Sequence, residues 1–134
     1  MKENLKIIIK ETTDKGVLRL VMNNLDQKNA LSENMMSILI DEIKSASSDQ
    51  SIKVIVLAAN GNAFCSGHDL KEITAARENE DSGQDYFKKL FDSCSSLMEL
   101  IVNIPQPVIA EVDGVATAAG CQLVASCDLA IASH

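Results

Sequence analysis

Two glycine-centred segments hold the residues best placed to do chemistry. One is Gly61-Asn-Ala-Phe-Cys-Ser-Gly-His-Asp-Leu-Lys-Glu-Ile73. The other is Asp113-Gly-Val-Ala-Thr-Ala-Ala-Gly-Cys-Gln-Leu123. Each follows an apolar run with the pattern of a buried strand, and each leads into a segment with the pattern of a helix. Small residues at a strand-to-helix turn let backbone N–H groups face a ligand, and the helix dipole adds partial positive charge there. Two such turns, brought together, would hold one developing oxyanion from both sides. The competing reading is that the glycines serve turn geometry alone.

The elements that must position these loops follow from apolar patterning. Leu5–Glu11 and Val17–Asn23 are β-like and are joined by Thr12–Gly16, which predicts a hairpin. Asn23–Asn29 is polar and loop-like. Ser32 is a candidate N-cap with Glu33 in the first turn. Met35, Met36, Leu39, Ile40 and Ile43 then recur at helical spacing, so Ser32–Ser47 reads as an amphipathic helix with a methionine stripe in the core. Val54–Ala58 is a short continuous apolar run, the pattern of a strand covered on both faces. Asp69–Ala76 reads as a short helix, Arg77–Gln84 as a mobile charged surface loop, and Tyr86–Val102 as a second amphipathic helix stopped by Pro105 and Pro107. Val108–Val112 is a second buried strand. A short helix near Gly120–Ser126 and a third strand at Leu129–Ala132 complete the order. Strands alternating with helices predict an α/β fold with parallel βαβ units.

Composition narrows the partners. The chain has 134 residues, a length that fits one domain, and 46% hydrophobic residues, with only 3% aromatic and no Trp. The core must therefore be aliphatic. The formal charge is -7; residues 1–60 are balanced, so the excess of acid lies in residues 61–134. An acidic, aromatic-poor chain argues against a nucleic-acid partner, and it offers no basic stripe for a membrane surface. Cys65, Cys94, Cys121 and Cys127 form no Cys-x-x-Cys pair, and His68 and His134 complete no zinc spacing, so no metal site is expected. Met1–Lys10 carries lysines throughout and lacks the long apolar core of a secretory signal. The expected compartment is a reducing one, cytoplasmic, with a mitochondrial location left open.

Three segments together resemble the crotonase family, the enoyl-CoA hydratases and isomerases. They are Gln27-Lys-Asn-Ala-Leu31, Ala63-Phe-Cys-Ser-Gly-His-Asp-Leu70, and Pro107-Val-Ile-Ala-Glu-Val-Asp-Gly114 through Cys127-Asp128. They fall in the family's order across almost the whole chain. The resemblance implies a spiral of ββα repeats, here truncated, with residues 1–134 as the N-terminal portion of a single domain and the C-terminal portion absent. It also implies acyl-CoA thioester substrates and lyase or isomerase chemistry through an enolate, in fatty acid metabolism. No external cofactor is implied, because CoA enters with the substrate. The family's trimers or hexamers imply a homo-oligomer at full length.

Residue by residue, the resemblance puts one oxyanion N–H at His68 and the other at Ala119. The CoA end would be cradled by Lys28, Asn29, Ala30, Leu31, Ala63, Phe64, Ser66 and Gly120. Two departures stand out. Gln122 occupies the position of the family's first catalytic Glu, and an amide can orient water but has no proton to exchange near neutral pH. The second family Glu lies in sequence that would follow His134. An alternative is therefore a non-catalytic acyl-CoA-binding or structural remnant. Another is a hydrolase with a Cys65/His68 or Ser66/His68 nucleophile, although a nucleophile and its base normally come from distant segments. Cys121 and Cys127 are expected as buried thiols. Glu111 lies in a strand pattern that could face a cleft, but neither it nor Glu72 matches a catalytic position. If His134 were the natural end, the last strand would lack its crossover helix, the apolar faces of both long helices would lose part of their cover, and the chain would self-associate or need a partner supplying the missing half.

Overall fold

The computed structural model describes residues 6–134. In chain order the elements are β1 (Ile8–Thr12), β2 (Val17–Met22), a single 3₁₀ turn at Leu25–Gln27, α1 (Glu33–Ser47), β3 (Val54–Ala59), β4 (Ala63–Cys65), α2 (Leu70–Ala76), α3 (Gln84–Asn103), β5 (Val108–Val112), β6 (Val115–Ala116), α4 (Ala119–Ser126) and β7 (Leu129–Ala132). The expected strand start at Leu5 lies outside the described residues, as does part of the Met1–Lys10 segment. The hairpin forms as expected, with Ile8 opposite Met22 and Thr12 opposite Leu18. β2, β3, β5 and β7 then pair in parallel, giving one five-stranded sheet in the order β1-β2-β3-β5-β7.

Local chemistry explains the helix boundaries. Ser32 Oγ accepts from Met35 N at 3.1 Å, Glu33 sits in the first turn of α1 and Lys44 in its last, so charge complements the dipole at both ends. Asp69 caps α2 by accepting from Lys71 N and Glu72 N. Arg77–Gly83 closes in successive turns. Asp81 there accepts from Gly83 N and Asp85 N, both at 2.9 Å, which starts α3 at Gln84, two residues earlier than the apolar pattern suggests. Gln106 Nε2 donates to Ala46 O at 2.8 Å and Ile52 O at 3.4 Å, tying the end of α1 to the approach to β3.

Alternation along the strands separates the sheet's two faces. Leu18, Leu20, Met22, Ile55, Leu57, Val108 and Ala110 point to one face, each at most 1% exposed, and share a core with α1 and α3. Met35, Met36, Leu39 and Ile43 of α1 and Leu97 of α3 are fully buried in it. The two long helices therefore cover each other and one face of the sheet. Every residue of β7 is exposed, with Leu129 at 63% and Ile131 at 65%, because it pairs only with β5 and no described element lies over it.

These environments separate two substitutions. Leu39→Ala should cost about 2–5 kcal/mol, through lost transfer energy and a cavity. Leu129→Thr should change stability by no more than about 0.5 kcal/mol. Urea denaturation followed by circular dichroism checks both; equal effects would show that the core is misplaced.

Candidate functional site

The two glycine loops lie side by side. Residues inside them form a small second sheet, with β4 parallel to β6, Ala63 opposite Val115 and Cys65 opposite Ala116. Thr117 N donates to Cys65 O at 3.1 Å. The sequence pattern shows neither of these strands, because two or three residues carry no readable period.

Glycine is required at two positions for this approach. A Cβ at Gly67, where φ is +93°, would sit 2.9 Å from Ala118 Cβ and 3.5 Å from Ala119 N. A Cβ at Gly120 would collide with the Cys65 carbonyl. The residue that turns the second loop into α4 is strained. Ala118 has φ 51° and ψ -126°, a conformation that L-residues avoid, and it precedes Ala119, the first residue of the helix. Among the described residues, neither the His68 N–H nor the Ala119 N–H donates to a protein acceptor. The first loop is also stitched to the segment before α1, since Leu31 N donates to Gly67 O at 2.7 Å and Ser66 N to Lys28 O at 3.2 Å.

A cleft of about 290 Å³ opens beside the first loop, lined by Asp26, Gln27, Lys28, Ala30, Ser66, His68, Asp69, Leu70 and Lys71. A second, of about 300 Å³, is lined by Lys28, Asn62, Ala63, Ser66, Val115 and Thr117. Lys28 and Ser66 thus face both. Of the residues assigned to the CoA end, Lys28, Ala30, Ala63 and Ser66 line one or both clefts. Asn29, Leu31 and Phe64 are instead core residues, at 1%, 0% and 0% exposure. Asn29 spends its side chain on structure: Nδ2 donates to Asn60 O and Ala63 O, both at 2.9 Å, and Oδ1 accepts from Asn24 N at 2.8 Å. Gly120 is buried against the first loop, and Gln122 is exposed on α4.

Several polar groups have work that the sequence reading did not assign. Glu72 Oε2 accepts from Glu33 N at 3.0 Å, at the start of α1, and from Tyr86 Oη at 3.3 Å. This carboxylate binds the first loop to both long helices. Burial, then the charges of Glu72 and Glu33, push the Tyr86 hydroxyl up to about 12, so it stays protonated as the donor. The Asp69-x-x-Glu72 spacing is a capping signal that fits the short helix read from Asp69. Asp69 is buried, and its second oxygen has no partner. Glu111 lines neither of these clefts. It accepts from Arg19 at 2.7 Å on the sheet's other face, and Arg19 holds its carboxyl below the usual range.

The thiols divide differently from expectation. Cys65 and Cys94 are buried, Cys127 is partly buried, and Cys121 is exposed because it lies on the outer side of α4. Burial pushes the Cys65 thiol up, the wrong direction for a nucleophile, and no hydrogen bond joins it to His68. Ser66 Oγ donates to Gln27 O at 3.3 Å rather than to His68. The Cys65/His68 and Ser66/His68 hydrolase arrangements are therefore not assembled. Among the described residues, no three His, Cys, Asp or Glu side chains gather as a metal site, and no helix is long and apolar enough to cross a membrane.

Loop contact predicts opposite effects at neighbouring positions. Gly120→Ala should destabilise by about 1–3 kcal/mol, as the new methyl pushes the loops apart. Ala118→Gly should stabilise by about 1 kcal/mol, since relief of the positive φ outweighs the added chain entropy. Thermal melts of the two variants against the parent provide the measurement.

Comparisons with known proteins agree with this architecture. The family model for enoyl-CoA hydratase/isomerase matches residues 12–134. Enoyl-CoA hydratase domain-containing protein 3, mitochondrial, of Xenopus laevis is 50% identical over 118 residues, covering 88% of this chain and 38% of that protein. The crystal structure of an enoyl-CoA hydratase of Mycobacterium smegmatis superposes with a TM-score of 0.86 at 44% identity, covering 94% of this chain and 47% of that one. Human enoyl-CoA hydratase domain-containing protein 3 gives 0.85 at 43% identity, with 95% and 48% covered. The chain thus spans about two-fifths of its curated relatives and about half of the solved chains. With a crotonase-like fold and a family match over nearly its whole length, this chain belongs to the enoyl-CoA hydratase/isomerase family.

Proposed function

We propose that the chain acts on acyl-CoA thioesters by stabilising an enolate, with the backbone N–H groups of His68 and Ala119 as the oxyanion hole. One observation carries this reading: the two loops are held in contact through Gly67 and Gly120, at a place where both N–H groups lack a protein acceptor. A thioester oxygen placed there would be polarised by two oriented donors and by the dipole of α4. The cleft of about 290 Å³ beside His68 gives the thioester an approach, and Lys28 at its rim offers a cation for a CoA phosphate. No external cofactor enters the scheme. Gln122, without a proton to exchange, orients water at most.

We read residues 1–134 as the N-terminal part of one such domain, working in fatty acid metabolism and assembling with further copies in the longer form. The frog relative is by name a mitochondrial protein, and this reading adopts that compartment over the cytoplasmic expectation.

Two measurements test the proposal together: binding of butyryl-CoA by calorimetry, and hydration of crotonyl-CoA followed by loss of its conjugated absorbance. Binding is expected, with turnover well below the ~10 s⁻¹ of an ordinary enzyme. Gln122→Glu should raise turnover. Ala118→Gly/Ala119→Pro should lower it by about 10²-fold, since proline at the first helical position removes the N–H and keeps the helix. A chain that binds no acyl-CoA would end this reading. Binding without turnover, even after Gln122→Glu, would leave the non-catalytic alternative.

A further inference from the structure

We infer that the imidazole of His68, and not only its backbone N–H, works at this site, as the base that removes the α-proton of a bound acyl thioester and returns it. The inference rests on the enolate reading above and adds to it the group that moves the proton.

His68 directly follows Gly67, whose missing side chain lets Ala118 and Ala119 N come close. Its side chain is half-buried and lines the cleft beside the first loop. The ring stands edge-on to Phe91 of α3, with centroids 6.1 Å apart and planes at 76°. That contact limits its rotation. Its Nδ1 is buried and has no hydrogen-bond partner. Burying an unpaired ring nitrogen costs free energy, and no structural bond recovers the cost.

Among the described residues, most other polar groups near the loop are already committed, and Asp69 alone keeps one buried oxygen without a partner. Asn29 staples the preceding turn, Asp69 caps α2, and Glu72 caps α1 while accepting from Tyr86. Tyr86 is held protonated. Lys28 and Lys71, also on the cleft, are hydrogen-bond donors by residue type and offer no acceptor. Asp26, the remaining carboxylate on the cleft, is exposed on the 3₁₀ turn. Gln122, where the family resemblance places a carboxylate, has nothing to titrate. His68 combines a proton-accepting side chain, freedom from structural duty and a place on the oxyanion loop itself.

The step balances without any further reactant. The imidazole takes the proton from C2 of the thioester, and the C2–H electron pair forms the C1–C2 double bond. The carbonyl π pair moves onto oxygen, where the N–H groups of His68 and Ala119 hold the negative charge. Return of the proton to C2 regenerates both partners. In D2O the imidazolium exchanges with solvent first and returns deuterium.

Exchange at C2 of butyryl-CoA in D2O, followed by proton NMR with the 134-residue chain, reads this step without requiring net hydration. His68→Gln and His68→Asn both keep the backbone N–H, so the oxyanion hole stays intact in either. The parent should exchange the C2 protons, and each variant should do so about 10²-fold more slowly or less, with binding of butyryl-CoA by calorimetry unchanged. Circular dichroism identifies a variant that has not folded, and the other then decides. Variants that exchange as fast as the parent would overturn the role of the imidazole. Binding by a parent that shows no exchange would also overturn it, while leaving thioester binding in place. If the parent binds no butyryl-CoA, the enolate reading itself falls and this inference falls with it.

Discussion

The structure depends on one close approach. Two strand-to-helix loops, about fifty residues apart in the chain, touch through positions where no side-chain carbon fits: Gly67 against Ala118 and Gly120 against the Cys65 carbonyl. Backbones separated by ordinary side chains could not approach this closely. The parallel pairing of β4 with β6 sets the register of that contact. The positive φ of Ala118 turns the second loop into its helix, and this strain lies beside the unpartnered Ala119 N–H.

Around the contact, polar side chains act as staples rather than as reagents. Asn29 saturates its amide on three backbone groups, and Glu72 ties the first loop to the start of α1 and to Tyr86. A buried polar group left unpaired costs free energy, so each staple also specifies one loop conformation. Beneath them, Phe64 and Leu31 anchor the same segments in the aliphatic core. A loop fixed at so many points presents its N–H groups in one direction, and an oriented dipole stabilises developing charge without reorganising.

The main sheet explains how the loops come together. Because β2, β3, β5 and β7 are parallel, β3 and β5 both deliver their chains to the same end of the sheet, and the two glycine loops begin there. One face is closed by α1 and α3. The other carries Arg19 between Glu11 and Glu111, an exposed ion-pair row whose contribution to stability is small.

Much of this was legible in the residues alone. The Ser32 cap, the apolar spacing from Met35 to Ile43, the run Val54–Ala58 and the stop at Pro105 and Pro107 are local signals. They located the hairpin, both long helices and the strands before each loop to within a few residues. The small residues of the two loops, with the family resemblance, pointed to His68 and Ala119. The rest depends on contacts between distant segments, which no local pattern carries. Strands as short as β4 and β6 exist only because each has the other. Asn29 and Phe64 stand in one motif, and burial makes the side chain of the first a staple and that of the second core. Glu111 differs from a cleft carboxylate only because Arg19 stands two strands away on the same face. Residue type determined which groups were able to donate, accept or bend the backbone. Tertiary packing decided which of them remained free to meet a ligand, because burial and partnership belong to the folded chain and not to any one residue.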